Sequence, residues 1–408
     1  MRRAAETSIF TEMTELAHRT GAVNLGQGVP DLDSPPELLA GVAEAVLAGR
    51  NQYPPAAGHP ALRAAVAEHQ RRHYGIDLDP AGQVLVTTGA TEALASAVLA
   101  LTGPGDEILA FDPCYDAYPA DAGLSGATLV PVPLAVAGDG AGAGAAGGNG
   151  ARAVPGPGAG FVLDADALAA ALTPRSRLLL LNSPHNPTGK VFTQDELARI
   201  AELCVEHDLT VVTDEVYEHL VYDGARHVPI ATLPGMAERT LTVSSAGKTF
   251  SVTGWKVGWV SGPAELVAAV ASVKQWLTYA SGTPYQEAIA AALGTVDDWA
   301  KELRSTLTAG RDLLAAGLTE AGLTPFRAEA GYFLQADVRP WGFTDGLALC
   351  RRLPELAGVV AIPTSAFQQG ADAMPWLVRF SFCRRHEALR EAAGRLAGLR
   401  ERSARPRR

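Results

Sequence analysis

Cysteine is nearly absent from this chain. The 408 residues hold four, at positions 114, 204, 350 and 383, and no two form a CxxC pair. A disulfide framework is therefore not expected, no metal site is expected, and a reducing compartment, the cytoplasm, is the simplest setting. Long apolar runs are missing too, since none approaches the roughly 18 residues needed to cross a bilayer. The opening MRRAAETSIFTEM has two arginines with no apolar stretch behind them, so no secretory signal is expected. An excess of basic residues is also lacking. The 34 Lys and Arg against 44 Asp and Glu give a net charge of −10, which argues against a nucleic-acid partner. No GxGxxG follows a strand at a helix start, which removes the usual signature of a nicotinamide-dinucleotide domain.

What remains is an ordinary globular composition, 47% hydrophobic and 19% charged, long enough for two or three domains at about 150 residues each. Short β-branched or leucine-rich runs (84–86, 107–111, 177–181, 210–213, 240–243) alternate with helical patterns. One helix opens with a capping box, Thr193 paired with Glu196. Its apolar positions Leu197, Ile200, Ala201 and Cys204 follow the i, i+3, i+4, i+7 spacing. Strand–helix–strand repetition implies right-handed crossovers and a mostly parallel sheet with helices on both faces. Ligands in such sheets bind beyond the carboxyl ends of the strands, and four polar stretches sit just there.

SSAGKTFSVTGWK (244–256) places Lys248 among small residues, with Lys256 eight positions on. A lysine becomes a nucleophile when desolvation or a second cation depresses its pKa. TDEVYEHLVYD (213–223) sets Asp214 and Tyr217 at one strand end. Asp214 alone reads equally as a helix cap, but the pair suits a cofactor ring nitrogen that needs an anion to stay protonated. NSPHNPTG (182–189) is either a plain connecting loop or a loop that presents the Asn186 amide to a ligand oxygen. TTGATE (87–92) opens a helix with small residues and free N–H groups, either a simple helix start or a phosphate cup.

Taken together and in this order, the four stretches resemble the class I/II, fold type I pyridoxal-phosphate aminotransferases. The likeness runs from LGQGVPDLDSPPELL (25–39) to VRFSFC (378–383). The strings NQYPPAAG, FDPCYDAY, NSPHNPTGKVF and TDEVYEHLVYDG are similar to the kynurenine, glutamine and methionine aminotransferase group, and to actinobacterial proteins described as N-succinyldiaminopimelate aminotransferases. The resemblance implies an α/β three-layer sandwich with a mostly parallel sheet, plus a smaller α+β domain. It also implies pyridoxal 5'-phosphate as cofactor, amino-acid and 2-oxo-acid substrates, ping-pong transamination and a homodimer with shared active sites.

Residue roles follow from the same resemblance. Lys248 would carry the cofactor and move the substrate's α-proton, Asp214 would pair with the ring nitrogen, and Tyr217 and Asn186 would bond the ring hydroxyl oxygen. Tyr115 would stack on the ring. Ala90, Thr91, Ser245 and Lys256 would hold the phosphate, helped by Tyr53 from the neighbouring subunit. Arg379 would grip the substrate carboxylate in paired N–H···O bonds, with Gly28 packed beside it. Many relatives carry arginine where Lys256 stands, and lysine offers a point charge in place of a fork. Ser281 and Gly282 replace the bulkier side chains of kynurenine-type relatives, which implies a roomier side-chain pocket.

Two alternatives use the same frame: a cysteine-conjugate carbon–sulfur β-lyase, and a non-enzymatic sensor, which would normally add a DNA-binding domain and lose Lys248. The expected division is a large cofactor domain over 34–299 and a small domain from 1–33 plus 300–400. A mobile Gly/Ala-rich insertion over 135–160 and a flexible tail over 401–408 complete it.

Overall fold

The computed structural model describes residues 8–137, 158–370 and 374–403. Seven strands form one sheet: β1 (Val84–Thr87), β2 (Glu107–Asp112), β3 (Thr128–Pro133), β4 (Ser176–Asn182), β5 (Thr210–Asp214), β6 (Thr240–Ser245) and β7 (Gly258–Ser261). Their spatial order is β1-β7-β6-β5-β4-β2-β3. Neighbours run parallel except at β7, which is antiparallel to both β1 and β6. The five expected strands are all present, each extended by a residue or two. β3 was not expected, because TLVPVP carries Pro131 and Pro133. It lies at the sheet edge, where a missing N–H costs least. β7 follows β6 by a short antiparallel return that no helical pattern announces.

Twelve α-helices longer than one turn accompany the strands among the described residues: α1 (Ile9–Thr20), α2 (Pro36–Leu47), α3 (Pro60–Tyr74), α4 (Gly89–Leu101), α5 (Ala117–Ser125), α6 (Ala165–Ala171), α7 (Gln194–Glu206), α8 (Ala264–Leu277), α9 (Thr283–Leu293), α10 (Val296–Glu320), α11 (Gly346–Ala357) and α12 (His386–Ser403). Alternation within the strands sends side chains to two cores. Ile108, Leu178, Leu180 and Val212 pack with α4, α5 and α8 on one face. Leu109, Phe111, Leu179, Leu181 and Val211 pack with α6 and α7 on the other. Strands buried on both faces read as continuous apolar runs, as LLLL at 178–181 does. The fold is the α/β three-layer arrangement with a mostly parallel sheet that the sequence implied.

A second, antiparallel sheet takes β8 (Thr324–Pro325), β9 (Phe333–Asp337), β10 (Ile362–Pro363) and β11 (Leu377–Ser381) in the order β8-β9-β11-β10. Its core includes Leu307 and Leu314 of α10, Leu353 of α11 and Leu389 of α12. Val23 and Asn24 pair parallel with Val359 and Val360, which draws the N-terminal segment 24–28 onto this sheet. Helix α9 still packs on α2 and α3, with the first sheet's cores. The passage comes at Trp299, whose ring packs against the cores of both sheets.

The expected insertion is anchored at its base, where Ala135–Val136 pairs with Phe161–Val162; the expected mobility of 138–157 lies outside the described residues. Helix α12 runs to Ser403, and the expected flexibility of 404–408 again lies outside them.

The capping box of α7 forms as expected. Glu196 N donates to Thr193 Oγ1 at 3.2 Å, and Thr193 N donates to Glu196 Oε2 at 2.8 Å. Thr193→Ala should cost about 1 kcal/mol, read as a fall of roughly 1–2 °C in the thermal midpoint of a chain this long. Thr193→Ser should retain the wild-type midpoint. An unchanged midpoint in the alanine variant contradicts this role.

Candidate active site

The parallel strands end in polar residues along one edge. β4 stops at Asn182, β5 at Asp214 and β6 at Ser245, and Asn182 lies in register beside Asp214. Asp214 is buried at 5% exposure. Its Oδ2 accepts from the Tyr118 hydroxyl at 3.0 Å and its Oδ1 from the Val216 amide at 3.3 Å. Burial pushes its pKa up to about 6, while the hydrogen bonds from Tyr118 and Val216 and the charge of Lys248 pull it down. A buried carboxylate so placed gains most from a cation brought against it.

Lys248 sits in the single helical turn Ala246–Thr249 that follows β6. Burial lowers its pKa below the usual lysine value, Asp214 opposes that, and Lys256 and Arg379 add to it. An amine in this setting spends more of its time neutral, as a nucleophile or proton carrier requires.

The start of α4 faces this pair. Gly89 has φ +78° and lies close to Lys256, whose side chain a Cβ at Gly89 would meet at 3.3 Å. A Cβ at Gly258 would meet Gly89 C at 2.6 Å and Ala90 N at 2.7 Å, so only glycine lets β7 approach the helix start. Lys256 itself holds a left-handed φ of 54°, a conformation that costs energy and clusters at binding sites. The result is a first helical turn with open amides beside a lysine, a setting suited to a phosphate.

One cavity is lined by Ala90, Thr91, Tyr115, Asn186, Asp214, Tyr217, Ser245, Lys248 and Lys256. Tyr53 is not among them; it is 82% exposed, with its ring edge-on to Tyr279 at 5.6 Å. Arg379 lies one hydrogen bond behind the cavity. Its Nη1 donates to Asn186 Oδ1 at 3.0 Å and its Nη2 to the Gly26 carbonyl at 3.1 Å. Its guanidinium carbon stands 3.8 Å over the Phe333 ring and 4.3 Å over Phe367. Arg379 is 2% exposed, its Nε has no partner, and burial lowers its pKa to about 10. A buried guanidinium with two carbonyl partners and an open N–H lacks an anion.

Gly28 serves this arginine indirectly. A side chain there would meet Phe333 Cζ at 2.5 Å, and the Tyr332 hydroxyl donates to the Gly28 carbonyl at 3.0 Å. Ser281 and Gly282 do not line the cavity. The Ser281 hydroxyl accepts from Gln286 Nε2 at 3.0 Å, and Gly282 stands against the Tyr285 ring.

Several residues in or just behind the cavity escaped the sequence reading. Tyr118, fully buried, is the donor to Asp214, and its i+3 spacing from Tyr115 at a helix start was the available signal. Asn182 donates to the Asp214 carbonyl at 2.8 Å and accepts from the Asn186 amide at 2.7 Å, so it joins the loop 183–189 to β5. Thr253 and Val257 also line the cavity, and no local pattern marks them.

The donor set fits pyridoxal phosphate: an amine and a buried carboxylate in one cavity, a helix-start cradle that a Cβ would fill, and an aromatic wall at Tyr115. The family model described as aminotransferase class I and II matches residues 20–396. A Mycobacterium tuberculosis protein described as a probable N-succinyldiaminopimelate aminotransferase is 52% identical over 98% of each chain. An Escherichia coli methionine aminotransferase is 37% identical over 96% of each. The solved structure of the N-succinyldiaminopimelate aminotransferase from M. tuberculosis superposes with a TM-score of 0.90, covering 96% of this chain and 97% of that one. These comparisons support transamination and lend nothing to the lyase or sensor readings.

Tyr118→Phe removes the hydroxyl that holds Asp214 ionised. A hydrogen bond to a charged group contributes roughly 1.5–3 kcal/mol, so apoprotein should bind pyridoxal phosphate about 10- to 100-fold more weakly in a spectral titration. Unchanged affinity contradicts the role given to Tyr118.

Proposed function

The chain belongs to the class I and II aminotransferases, enzymes dependent on pyridoxal phosphate, and from that premise we propose that its cavity moves the amino group of an aliphatic dicarboxylic amino acid to a 2-oxo acid. N-succinyldiaminopimelate is the first candidate donor. The observation that carries the reading is the meeting of Lys248 and Asp214 in one cavity, with the anion-deficient Arg379 one hydrogen bond away.

The bound cofactor supplies an aldehyde that takes up the amino group and a protonated ring that withdraws electrons from it. Lys248 carries the cofactor at rest, and its freed amine then takes the substrate α-proton and returns it as general base and acid. Asp214 keeps the ring nitrogen protonated. The Tyr217 hydroxyl and the Asn186 Nδ2 donate to the ring hydroxyl oxygen; the Arg379 bond at Asn186 Oδ1 turns that amide's N–H toward the cavity. Tyr115 covers one ring face. The amides at Ala90 and Thr91, the Ser245 hydroxyl and Lys256 hold the phosphate. Arg379 receives the substrate α-carboxylate through its open Nε–H, with Gly28 leaving room for the Phe333 ring beneath it.

The proposed working unit is a homodimer. Tyr53 is exposed beside Tyr279, and Trp276 at 82% and Leu277 at 50% lie close in sequence. A partner covering this apolar surface would bring Tyr53 to the second site's phosphate. We further place the protein in the cytoplasm and divide it into a large unit of 34–299 and a small unit of 1–33 plus 300–400. No described helix is long and apolar enough to cross a membrane, and the four described cysteines are free. The substrate assignment rests on the 52% identity to the M. tuberculosis protein.

The test is the half-reaction of the purified yellow enzyme with single donors: N-succinyldiaminopimelate, glutamate, glutamine, methionine and kynurenine. N-succinyldiaminopimelate should bleach the cofactor band fastest. Arg379→Ala should lose about 2–5 kcal/mol in kcat/KM, the cost of unpairing a buried charge partner. Kynurenine outrunning every aliphatic donor contradicts the substrate assignment, and an unchanged KM in the variant contradicts the role of Arg379.

A further inference from the structure

On the far side of the turn that carries Asp214 and Tyr217 lies a second polar cluster that the transamination chemistry does not use. Glu218 and His219 follow Tyr217 directly and point away from the cofactor cavity, toward His69 of α3. All three are buried, at 5%, 8% and 2% exposure. His69 and His219 are 150 residues apart in sequence, yet their Nε2 atoms stand 2.8 Å apart. One ligand atom from each of His69, Glu218 and His219 lies within 4.8 Å of the other two. His69 Nδ1 is buried with no hydrogen-bond partner. His73, one turn along α3, places its ring 4.4 Å from that of His69 and 5.3 Å from that of His219.

We propose that His69, His219 and Glu218 form a binding site for a divalent transition-metal ion of the zinc class, separate from the cofactor site and clamping α3 to the segment 214–219.

The ligand set suits such an ion. Imidazole nitrogens with one carboxylate are the usual first shell for zinc, and two such ligands on a tetrahedral ion at about 2.0–2.1 Å sit about 3.3 Å apart. The two histidine nitrogens must therefore separate by about half an ångström. In the absence of an ion they share one proton; on binding, each ring keeps its single proton at Nδ1. Glu218 accepts from the Tyr74 hydroxyl at 2.8 Å and from Ser244 Oγ at 2.6 Å, which orients the carboxylate as an outer shell does, and a carboxylate has lone pairs left for a metal.

A route to the site exists. Glu218 and His219 line a cleft of about 630 Å³, together with His73, Tyr74 and Asp297. This leaves a fourth position for water or for His73. Among the charges that face the cluster, Arg304 opposes a cation and donates to the His219 carbonyl at 3.1 Å. The Asp297 carboxylate, 3.5 Å from His73 Nε2, favours one. His227 nearby is engaged by Glu215 at 2.9 Å and is left outside the set.

The experiment uses tag-free holoenzyme freed of excess cofactor, titrated with Zn²⁺ by calorimetry. The expected result is one ion per chain, with a thermal midpoint that rises with zinc concentration as ligand linkage requires. His69→Ala and His219→Gln should each weaken binding by about 100-fold or more, beyond the usual loss for an outer-shell partner. His207→Ala, at an exposed position, should bind as wild type does. X-ray absorption at the zinc edge of the loaded wild-type protein keeps the question decidable if a variant does not fold, and two imidazoles in the shell support the site. Absence of stoichiometric binding, binding retained in both variants, or an all-oxygen shell would overturn it. None of these readouts depends on transaminase activity.

Discussion

A carboxylate at the buried end of a central strand is the constraint around which this molecule is arranged. Asp214 lies in register between Asn182 of β4 and Val243 of β6, away from bulk water. Burial raises its pKa, which settles at about 6 once its hydrogen bonds and the Lys248 charge have pulled it back. Ionisation survives because Tyr118 and the Val216 amide donate to it, and it survives better with a cation opposite. That requirement explains the choice of the sheet centre over its rim: three parallel strands deliver three polar ends to one line, and helices on both faces keep water out. A protonated ring nitrogen is the partner such a carboxylate suits, and the amine at 248 stands in the same cavity.

The second sheet acts through what it carries to this edge. β11 supplies Arg379, whose two carbonyl partners come from the loop after β4 and from the N-terminal segment drawn in by the pairing of Val23 and Asn24 with Val359 and Val360. The Arg379 guanidinium is thus fixed by three separate pieces of chain. Phe333 below it and Gly28 beside Phe333 set its plane. In the proposed reading, substrate carboxylate and cofactor are held by different sheets, and the Asn186 side chain touches the arrangements of both.

Legibility in the sequence followed the range of the interaction. Strands β1, β2, β4, β5 and β6 were readable because strands buried on both faces read as β-branched or leucine-rich runs. The capping box of α7 was readable because it lies within four residues. The shared cavity of Lys248, Asp214, Asn186 and Tyr217 was readable mainly through their motif strings, since each lies at or just after a strand end. Edge strand β3 was hidden by its prolines, and return strand β7 by the lack of a helical pattern between it and β6. Tyr118 was hidden because its partner is 96 residues away in sequence. The pairing of His69 with His219 was hidden for the same reason, as no spacing rule spans the distance between α3 and the turn after β5. Ser281 and Gly282, expected beside a substrate side-chain pocket, meet Gln286 and Tyr285 within this chain.

The central claim is a covalent one, that the amine at position 248 holds the cofactor. Reduction of the resting holoenzyme with borohydride, followed by proteolysis and mass spectrometry, tests it most directly. The account predicts a single phosphopyridoxyl adduct on the peptide containing Lys248. An adduct on Lys256 or on any other lysine, with the Lys248 peptide unmodified, would contradict it.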